Sequence, residues 1–388
     1  MNIHICLVSQ QAAANLLPAL DPALKPEKIV LVVTAKMQRQ AAHLSAVLKE
    51  NAIQAELLQL SNEQDFRQIE DELLELAARL EGHAITLNIT GGTKLMSVAA
   101  QSVAQASSWR MFYVDADTDR AIWLDKDKTP SHTLQEQLKL RHYLRSYGFE
   151  LTHKPNRSQA SAAQEQLTQA LVQQVGSLEA SISVLNALTQ DAENRRALSV
   201  SMNDWQRDSR SLDVLLRYFE DAQALCVAGD RIQFSSEAAR DFVKGGWLEL
   251  HAIQAVHQVT GSLGIRDKAM GLEVQDAITQ TRNELDIAFM ARNRLFVIEC
   301  KTARIDRPQG SAEHGAPPKA NDALFKLAEN CRRIGGLGTR GMLVSYRKLR
   351  QPELTLAKAL GIEVVAGADI ARLPEKLKHW VQPAAQAL

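Results

Sequence analysis

Short apolar runs alternate with amphipathic segments through the first third of the chain. The run KIVLVVT at residues 28–34, for example, precedes AKMQRQAAHLSAVLKEN at 35–51, which has the helical period. Further strand candidates in this part are NIHICLVS, AELLQL, AITLNIT, RMFYVDAD and AIWLDKD. Strands that alternate with helices of this length favour a parallel sheet covered on both faces, with right-handed crossovers. The pattern predicts a Rossmann-like α/β domain over residues 1–130.

Helical periodicity prevails between residues 131 and 238. Gln- and Ala-rich helices are predicted over residues 164–190 and another helix over 211–222, followed by two short strands around Gly229-Asp230. Helices followed by a two-stranded wing predict a winged-helix-like connector. Because only a few basic residues fall on any one of these helices, a structural spacer is favoured over a domain that recognises a DNA sequence.

The third predicted unit covers residues 239–388 and has α/β character. It begins with a helix after Gly245-Gly246 and continues into an antiparallel hairpin at 283–302. A Gly- and Pro-rich loop at 302–322 follows, and loops of this length inside compact domains are more often functional than accidental. Two further helix–strand pairs complete the layer.

The hairpin NELDIAFMARNRLFVIECKT places acidic residues opposite each other. A turn within residues 291–294, or a two-residue turn at 292–293, sets Ala288 against Val297 and Asp286 against Glu299. Directly opposed residues have Cβ atoms about 4.5–5.5 Å apart, a distance at which two carboxylates repel each other. A divalent cation between them would turn that repulsion into attraction.

Lys301 lies two residues beyond Glu299 and therefore shares its strand face. An ammonium group beside a metal can orient or deprotonate a water and stabilise charge on a phosphate, so the set suits phosphodiester hydrolysis. The alternative is an exposed strand end with solvated charges. The apolar strand upstream, with charges only at its carboxyl end where α/β sites form, favours the metal site.

Glu249 is a candidate third acid. On a helix that starts near Trp247, it shares a stripe with Ile253 and Val256, and a carboxylate on a core-facing stripe needs a partner. The alternative is an ordinary first-turn glutamate, favoured there by the helix dipole.

A second candidate site lies in ITLNITGGTKLMSVAA, where a strand, a Gly-Gly turn and a helix follow one another. Gly91 and Gly92 allow close approach to the amide groups at the helix start, which form a binding site for anions. Thr93 and Lys94 add a hydroxyl and a charge suited to phosphate. The sequence is not a Walker A loop, and the alternative is a turn that only caps the helix.

The composition mainly argues against certain kinds of site and partner. Lys+Arg and Asp+Glu number 45 each, so contacts with phosphates require a local patch. The four cysteines have no CxxC spacing, which argues against a zinc site or a disulfide framework. The start, MNIHICLVSQ, lacks a basic flank and a long apolar run, and no stretch is long enough to cross a bilayer. These features predict a cytoplasmic protein without a membrane partner.

The C-terminal 150 residues resemble the PD-(D/E)xK nuclease superfamily, with Leu285 at the usual proline position. The resemblance implies a restriction-endonuclease-like fold. In it, Asp286 and Glu299 are both metal ligands and catalytic residues, and Lys301 is catalytic. Glu249 is the acidic residue on the helix and likewise serves as a metal ligand and a catalytic residue. Glu284, two residues before Asp286 on the same strand face, is a further candidate.

The N-terminal domain, joined to such a nuclease, resembles the CARF sensors of type III CRISPR systems, and the whole chain is similar to the Card/Can group of CARF nucleases. The resemblance implies a homodimer that binds cyclic oligoadenylate, usually cyclic tetra-adenylate, across its two-fold axis. It also implies an Mn²⁺- or Mg²⁺-dependent nuclease that nicks DNA and, in some members, cuts single-stranded RNA.

Ligand contacts are expected at the Gly-Gly turn and at the tips of the first two strands. The tip residues are Ser9, Gln10 and Thr34, with Lys36 and Met37 close by. An alternative function is a nucleotide-sensing, DNA-binding regulator whose nuclease fold is only a scaffold. The intact set of two acids and a lysine favours the nuclease.

Overall fold

The computed structural model describes residues 1–116, 118–125, 129–135, 138–152, 160–302 and 319–382. Within these ranges the chain forms three sheets, and helices cover the first and the third. Most of the loop predicted at 302–322, namely residues 303–318, lies outside the described residues. No helix in the described part is long and apolar enough to span a membrane.

The first sheet has the doubly wound α/β topology predicted from the alternating pattern. Its described strands lie in the order β3-β2-β1-β4-β5-β6-β7, and the first five are parallel. The strands are β1 (Asn2–Leu7), β2 (Lys28–Val33), β3 (Gln54–Gln59), β4 (Ala84–Asn88), β5 (Arg110–Asp115), β6 (Arg120–Trp123) and β7 (His132–Thr133). The helices are α1 (Ala13–Leu20), α2 (Gln38–Glu50), α3 (Phe66–Arg79), α4 (Lys94–Ala106) and α5 (Leu140–Ser146).

The strand order reverses between β1 and β4. The chain proceeds from β1 outward to β2 and β3 and then returns to place β4 on the other side of β1. The loops that leave the carboxyl ends of these two strands therefore diverge and open a crevice, which is where ligands bind in such sheets.

After a first helix, the middle segment has the element order helix, strand, two helices and hairpin of a winged helix. Its elements are α6 (Ala162–Gln173), α7 (Val175–Asn194), β9 (Ser199–Ser201), α8 (Asp204–Arg207), α9 (Arg210–Asp221), β10 (Leu225–Ala228) and β11 (Arg231–Phe234). The hairpin predicted at Gly229-Asp230 is present, and β9 adds a strand beside β11. On α8 and α9, Arg207 pairs with Asp204 and Arg217 with Asp213, and the acidic residues of the two helices outnumber their arginines. These helices therefore carry no net positive charge for DNA.

The third sheet has the described order β16-β15-β14-β13-β12-β8. Its strands are β8 (Phe149–Leu151), β12 (Asp267–Asp276), β13 (Arg282–Ala291), β14 (Arg294–Lys301), β15 (Arg340–Ser345) and β16 (Ile362–Ala366). The helices are α10 (Glu237–Asp241), α11 (Trp247–Leu263), α12 (Lys319–Gly335), α13 (Gln351–Ala359) and α14 (Leu373–Val381). The predicted hairpin register is confirmed, with Ala288 paired to Val297. Arg292 and Asn293 both have positive φ, 48° and 54°, as a two-residue type I′ turn requires.

The domain limits at residues 130 and 238 remain a proposal, and two strands bear on the first of them. Strand β7 extends the first sheet to Thr133, and β8 pairs with β12 in the third sheet. One apolar cluster also runs from the α2 side of the first sheet through Tyr143 of α5 to Ala288 and Leu327 of the third unit. The first and third sheets therefore pack through a shared core.

Candidate functional site

The predicted acidic centre lies where β13 and β14 separate. Their ladder runs from Ala291–Arg294 to Ile287–Ile298, and the next pair in that register is Asp286 with Glu299. Asp286 is turned inward, and its Oδ2 accepts a hydrogen bond of 2.7 Å from the amide of Cys300. This bond holds β13 and β14 together through a side chain at the point where backbone pairing ends.

Glu299 and Lys301 form an ion pair on the same face of β14. Lys301 Nζ lies 2.5 Å from Glu299 Oε1, and the Glu299 side chain is only 11% exposed. The ladder places Lys301 beside Ser345 of the parallel strand β15. Burial on a central strand fixes both groups at its carboxyl end, as the strand period predicts.

Glu249 reaches the same centre from α11. The helix follows a wide turn at residues 242–246, where Gly245 lies so close to the end of β14 that a Cβ would meet Thr302 Oγ1 at 3.2 Å. Burial raises the pKa of the Glu249 carboxyl, and the negative charges of Asp286 and Glu284 raise it further. Glu249 is therefore within electrostatic reach of the hairpin acids.

The positive charge of Lys301 does not fully compensate the negative charges of the acidic residues around it. Burial, followed by the charge of Glu299, raises the pKa of Asp286. For Lys301, burial lowers the pKa, but the attraction of Glu299 and Asp286 outweighs it, so the net shift is upward. Lys301 is thus a protonated donor at neutral pH, while a further cation would relieve the repulsion among the acids.

The residues present suit a hard divalent cation. Carboxylate oxygens are the ligands that Mg²⁺ and Mn²⁺ prefer. In the described part of the chain, however, no group of three or more His, Cys, Asp or Glu side chains is close enough to enclose a metal ion. Asp286 is bonded to an amide and Glu299 to Lys301, so ligation by the predicted set requires these two side chains to turn.

The sequence did not reveal a hydrogen-bond network that supports the end of β14. Thr302 is buried, accepts a hydrogen bond of 3.1 Å from Asn186 Nδ2 of α7, and donates one of 2.8 Å to the carbonyl of Lys244. The network joins the middle segment, the start of α11 and the end of β14. Its members are far apart in sequence, and the only local signal was a threonine directly after the ExK motif.

The Gly-Gly turn lies against the end of β1, as expected for a ligand loop. A Cβ on Gly91 would lie 2.1 Å from the carbonyl oxygen of Leu7, and Gly92 has φ +76°. Thr93 caps α4 by accepting a hydrogen bond of 3.2 Å from the amide of Met96. Both glycines are therefore required by geometry, and the capping alternative holds for Thr93 without excluding an anion site.

The predicted contact residues at this crevice differ in how far their side chains are exposed. Gln10, Thr93 and Lys94 are exposed, and Ser9 lies 3.4 Å from the Cβ position of Gly91. Thr34 lies one strand further along and is only 4% exposed, which leaves its side chain little surface for a ligand.

A buried polar network, also missed from sequence, fixes the loops from below. Asn15 Nδ2 donates to the Leu7 carbonyl at 3.0 Å, and Asn88 Nδ2 donates to Asn15 Oδ1 at 3.0 Å. Thr90 Oγ1 donates to Asn88 Oδ1 at 2.6 Å and accepts from the Val114 amide at 2.7 Å. The tips of β1, β4 and β5 are thereby tied together.

We expect Glu249→Gln to stabilise the metal-free protein at high pH. Because the folded-state pKa of Glu249 is raised, the folded chain holds a proton that the unfolded chain releases above about pH 4.3. The wild type therefore loses stability as the pH rises from there, and the variant avoids that share of the loss. The expected gain is on the order of 1 kcal/mol, or about 2–4 °C, at pH 9 in EDTA, and it vanishes near pH 4.

The matched control is Glu375→Gln, which removes an exposed first-turn glutamate from α14. If Glu249 were likewise only a first-turn acid, its removal would lower the melting temperature at high pH, since the ionised form would favour the helix dipole. The two interpretations thus predict opposite signs in one thermal scan.

Comparisons with known proteins match both ends of the chain. Residues 3–143 match the family model for the Card1 CARF domain, and residues 236–384 match that for the Card1-like endonuclease domain. A comparison with curated protein sequences gave no match.

Solved structures share the fold over nearly the whole chain. Protein VC1899 from Vibrio cholerae is 25% identical over 98% of each chain, with a TM-score of 0.85. Can2 from Sulfobacillus thermosulfidooxidans in complex with cyclic tetra-adenylate is 21% identical over 99% of this chain and 100% of its own, with a TM-score of 0.81.

A third structure is larger. A type III CRISPR defence DNA nuclease activated by cyclic oligoadenylate is 18% identical, with a TM-score of 0.59 over 97% of this chain and 51% of its own. At these identities, Can2 and the larger nuclease show the fold alone. The chain therefore contains an N-terminal CARF domain and a C-terminal endonuclease domain, matched by the Card1 CARF and the Card1-like endonuclease models respectively.

Proposed function

We propose that the chain is a cyclic-oligoadenylate-activated, divalent-metal-dependent endonuclease of type III CRISPR defence. The observation that carries the proposal is the meeting of Glu249, Asp286, Glu299 and Lys301 in a domain matched as a Card1-like endonuclease. The CARF match on the same chain, and structural likeness to a nuclease activated by cyclic oligoadenylate, support control by such a ligand.

The proposed activator is cyclic tetra-adenylate, the ligand in the Can2 structure. Its phosphates would meet the amides of Gly91 and Gly92 and the side chains of Thr93 and Lys94. Ser9 and Gln10 would lie beside it at the tip of β1, and the largely buried Thr34 would contribute at most its remaining surface at the tip of β2. A cyclic ligand with repeated subunits suits two copies of this crevice facing each other, so we propose a homodimer.

The proposed metal is Mn²⁺ or Mg²⁺, held by Asp286, Glu299 and Glu249. When bound, the ion supplies positive charge to the scissile phosphate and acidifies water. The residues of the chain then have separate tasks. The charge on Lys301 supports donation to a phosphate oxygen and orientation of a water rather than proton abstraction, since its pKa is raised. In the metal-free chain, Asp286 accepts the Cys300 amide instead and so keeps the two strands in register.

We propose nicked DNA as the main product and single-stranded RNA as a second substrate. Incubation of supercoiled plasmid with the protein and Mn²⁺ is expected to give open-circular DNA slowly without activator and much faster when cyclic tetra-adenylate is added. EDTA should abolish the reaction because the carboxylates alone cannot neutralise the phosphate. Intact plasmid and intact RNA with every ring size of activator would overturn the proposal.

The winged-helix order of the middle segment favours one rival, a ligand-sensing DNA-binding regulator with an inactive nuclease fold. Such a regulator binds duplex DNA sequence-specifically, and its response to ligand survives Glu299→Ala. Under our proposal, the same variant loses cleavage and shows no sequence preference in duplex binding.

A further inference from the structure

A direct hydrogen bond joins the ligand edge of the CARF sheet to the nuclease hairpin. Nη2 of Arg294 donates to the carbonyl of Ala116 at 2.6 Å. Arg294 is the first residue of β14, and Ala116 directly follows β5. Because β5 is parallel to β4, its carboxyl end lies at the same edge of the sheet as the Gly-Gly turn.

Inside the CARF domain, Ala116 lies two residues after Val114, whose amide is hydrogen-bonded to the proposed activator loop. Thr90, the residue before Gly91, accepts the amide of Val114 through its side chain at 2.7 Å. The backbone from Val114 to Ala116 spans only two residues, so a displacement of Thr90 would reach the Ala116 carbonyl with little slack.

Inside the nuclease domain, the bond acts on the catalytic strand itself. Glu299 lies five residues after Arg294, about 17 Å along β14 at roughly 3.3 Å per residue. The strand is buried and paired on both sides, with β13 and β15. A shift of the hairpin at Arg294 would therefore be passed on to Glu299 and to Asp286 opposite.

A second contact joins the same two edges. Gly336, which has φ +60°, lies so near the side chain of Gln11 that a Cβ would meet its Nε2 at 2.9 Å, and Gln11 follows Ser9-Gln10. The Tyr143 hydroxyl donates to the neighbouring carbonyl of Gly335 at 2.9 Å. These contacts precede β15, the strand beside β14.

The interface leaves room for movement beside these contacts. A crevice of about 1180 Å³ opens between the turn after β5 and the beginnings of β14, β15 and β16, with Asp119, Arg292 and Arg340 in its walls. The contacts of Arg294 with the first sheet therefore border a cavity rather than a continuously packed interface.

We propose that Arg294 is the positioning residue through which the occupied activator crevice sets the geometry of Asp286 and Glu299. The proposal rests on the proposed function and adds the route of its control. Activator that pulls on the Gly-Gly turn moves Thr90, Val114 and Ala116 together, and the Arg294 bond carries that movement into the hairpin. Coupling of this kind has a free energy that a variant can remove without removing either site.

The test compares three variants of the full chain by activator-binding calorimetry and by cleavage with and without cyclic tetra-adenylate. Arg294→Ala should lower the ratio of stimulated to basal cleavage about tenfold or more, while the activator Kd stays within about threefold of wild type. Arg294→Lys, which can still donate to the Ala116 carbonyl, should recover much of the ratio.

Arg292→Ala is the matched control. Arg292 occupies the same turn and crevice wall but has no hydrogen bond or ion pair with another described residue. Its variant should keep the wild-type ratio. Equal losses in Arg292→Ala and Arg294→Ala would indicate a shared charge effect on substrate and overturn the proposal, as would an unchanged ratio in Arg294→Ala.

Failure of the two proposals can be told apart. If the wild type shows no stimulation by any cyclic oligoadenylate, the proposed function fails and the coupling route with it. If the wild type is stimulated and Arg294→Ala is stimulated equally, only the coupling route fails. Basal cleavage at the wild-type level in Arg294→Ala shows that its nuclease domain has folded.

Discussion

Replacing Lys301 with alanine is expected to reduce activator-stimulated cleavage about 10²–10³-fold, the usual effect of removing one preorganised donor to a developing charge. Lys301 pairs with Glu299 at 2.5 Å, and its raised pKa keeps the ammonium charged where the phosphate would react. The affinity for cyclic tetra-adenylate should not change, because the activator crevice is in the other domain. Plasmid nicking rates and calorimetry measure the two effects.

Lys28→Ala is a suitable control for this variant. Lys28 is also a partly buried lysine in an ion pair, 2.6 Å from Glu56, but it lies in the CARF sheet. Its loss should leave the cleavage rate close to wild type. If Lys301→Ala cleaves at the wild-type rate, Lys301 has no part in the reaction. If the variant also loses its affinity for the activator, the lost cleavage reflects a folding defect instead.

Gly91→Ala is expected to lower activator affinity by a factor of about 100 or to prevent activation altogether. A Cβ at this position would lie 2.1 Å from the Leu7 carbonyl, which belongs to a central strand and cannot yield, so the turn itself must move. The amides that would face the activator phosphates then lose their arrangement. Calorimetry with cyclic tetra-adenylate measures the loss.

The matched control for Gly91→Ala is Gly176→Ala. Gly176 lies in α7 with open space around its Cβ position, so alanine should be neutral or slightly stabilising there. Basal, activator-independent cleavage should survive in both variants. An unchanged activator affinity in Gly91→Ala would exclude the Gly-Gly turn from the binding site.

The hairpin could be predicted in detail because residues close together in the sequence determine its register and its turn. A period of two fixes which residues share a face, and Arg292-Asn293 fits a two-residue turn, so the pairing of Ala288 with Val297 followed. The Gly-Gly turn was equally local, since two adjacent glycines between a strand and a helix indicate close backbone approach.

Contacts between distant segments could not be predicted in this way. The bond from the Val114 amide to Thr90 depends on the pairing of β4 with β5, and the bond from Arg294 to Ala116 depends on how two sheets pack. No periodicity encodes either of them. Strand β8, three residues long, is too short to show an alternating pattern. The charge balance of the acidic centre likewise depends on burial, so the raised pKa values of Glu249 and Lys301 could not be derived from the sequence.

The shared core and the contacts at Ala116 and Gly336 suggest why a sensor and a nuclease of this kind occupy one chain. The strand ends that would hold the activator are the same ends that touch the beginnings of β14 and β15. Under the proposed coupling, small displacements at the crevice would reach β14 and β15 through well-packed elements rather than through a flexible linker.

Anomalous diffraction from an Mn²⁺-soaked crystal of the activated protein tests the central idea most directly. We predict one strong peak per protomer between Asp286 and Glu299, with carboxylate oxygens at about 2.1 Å and Glu249 within reach of the ion or its water shell. A map without a peak at that place, with Asp286 still on the Cys300 amide and Glu299 still on Lys301, would contradict a metal-dependent nuclease built on these residues.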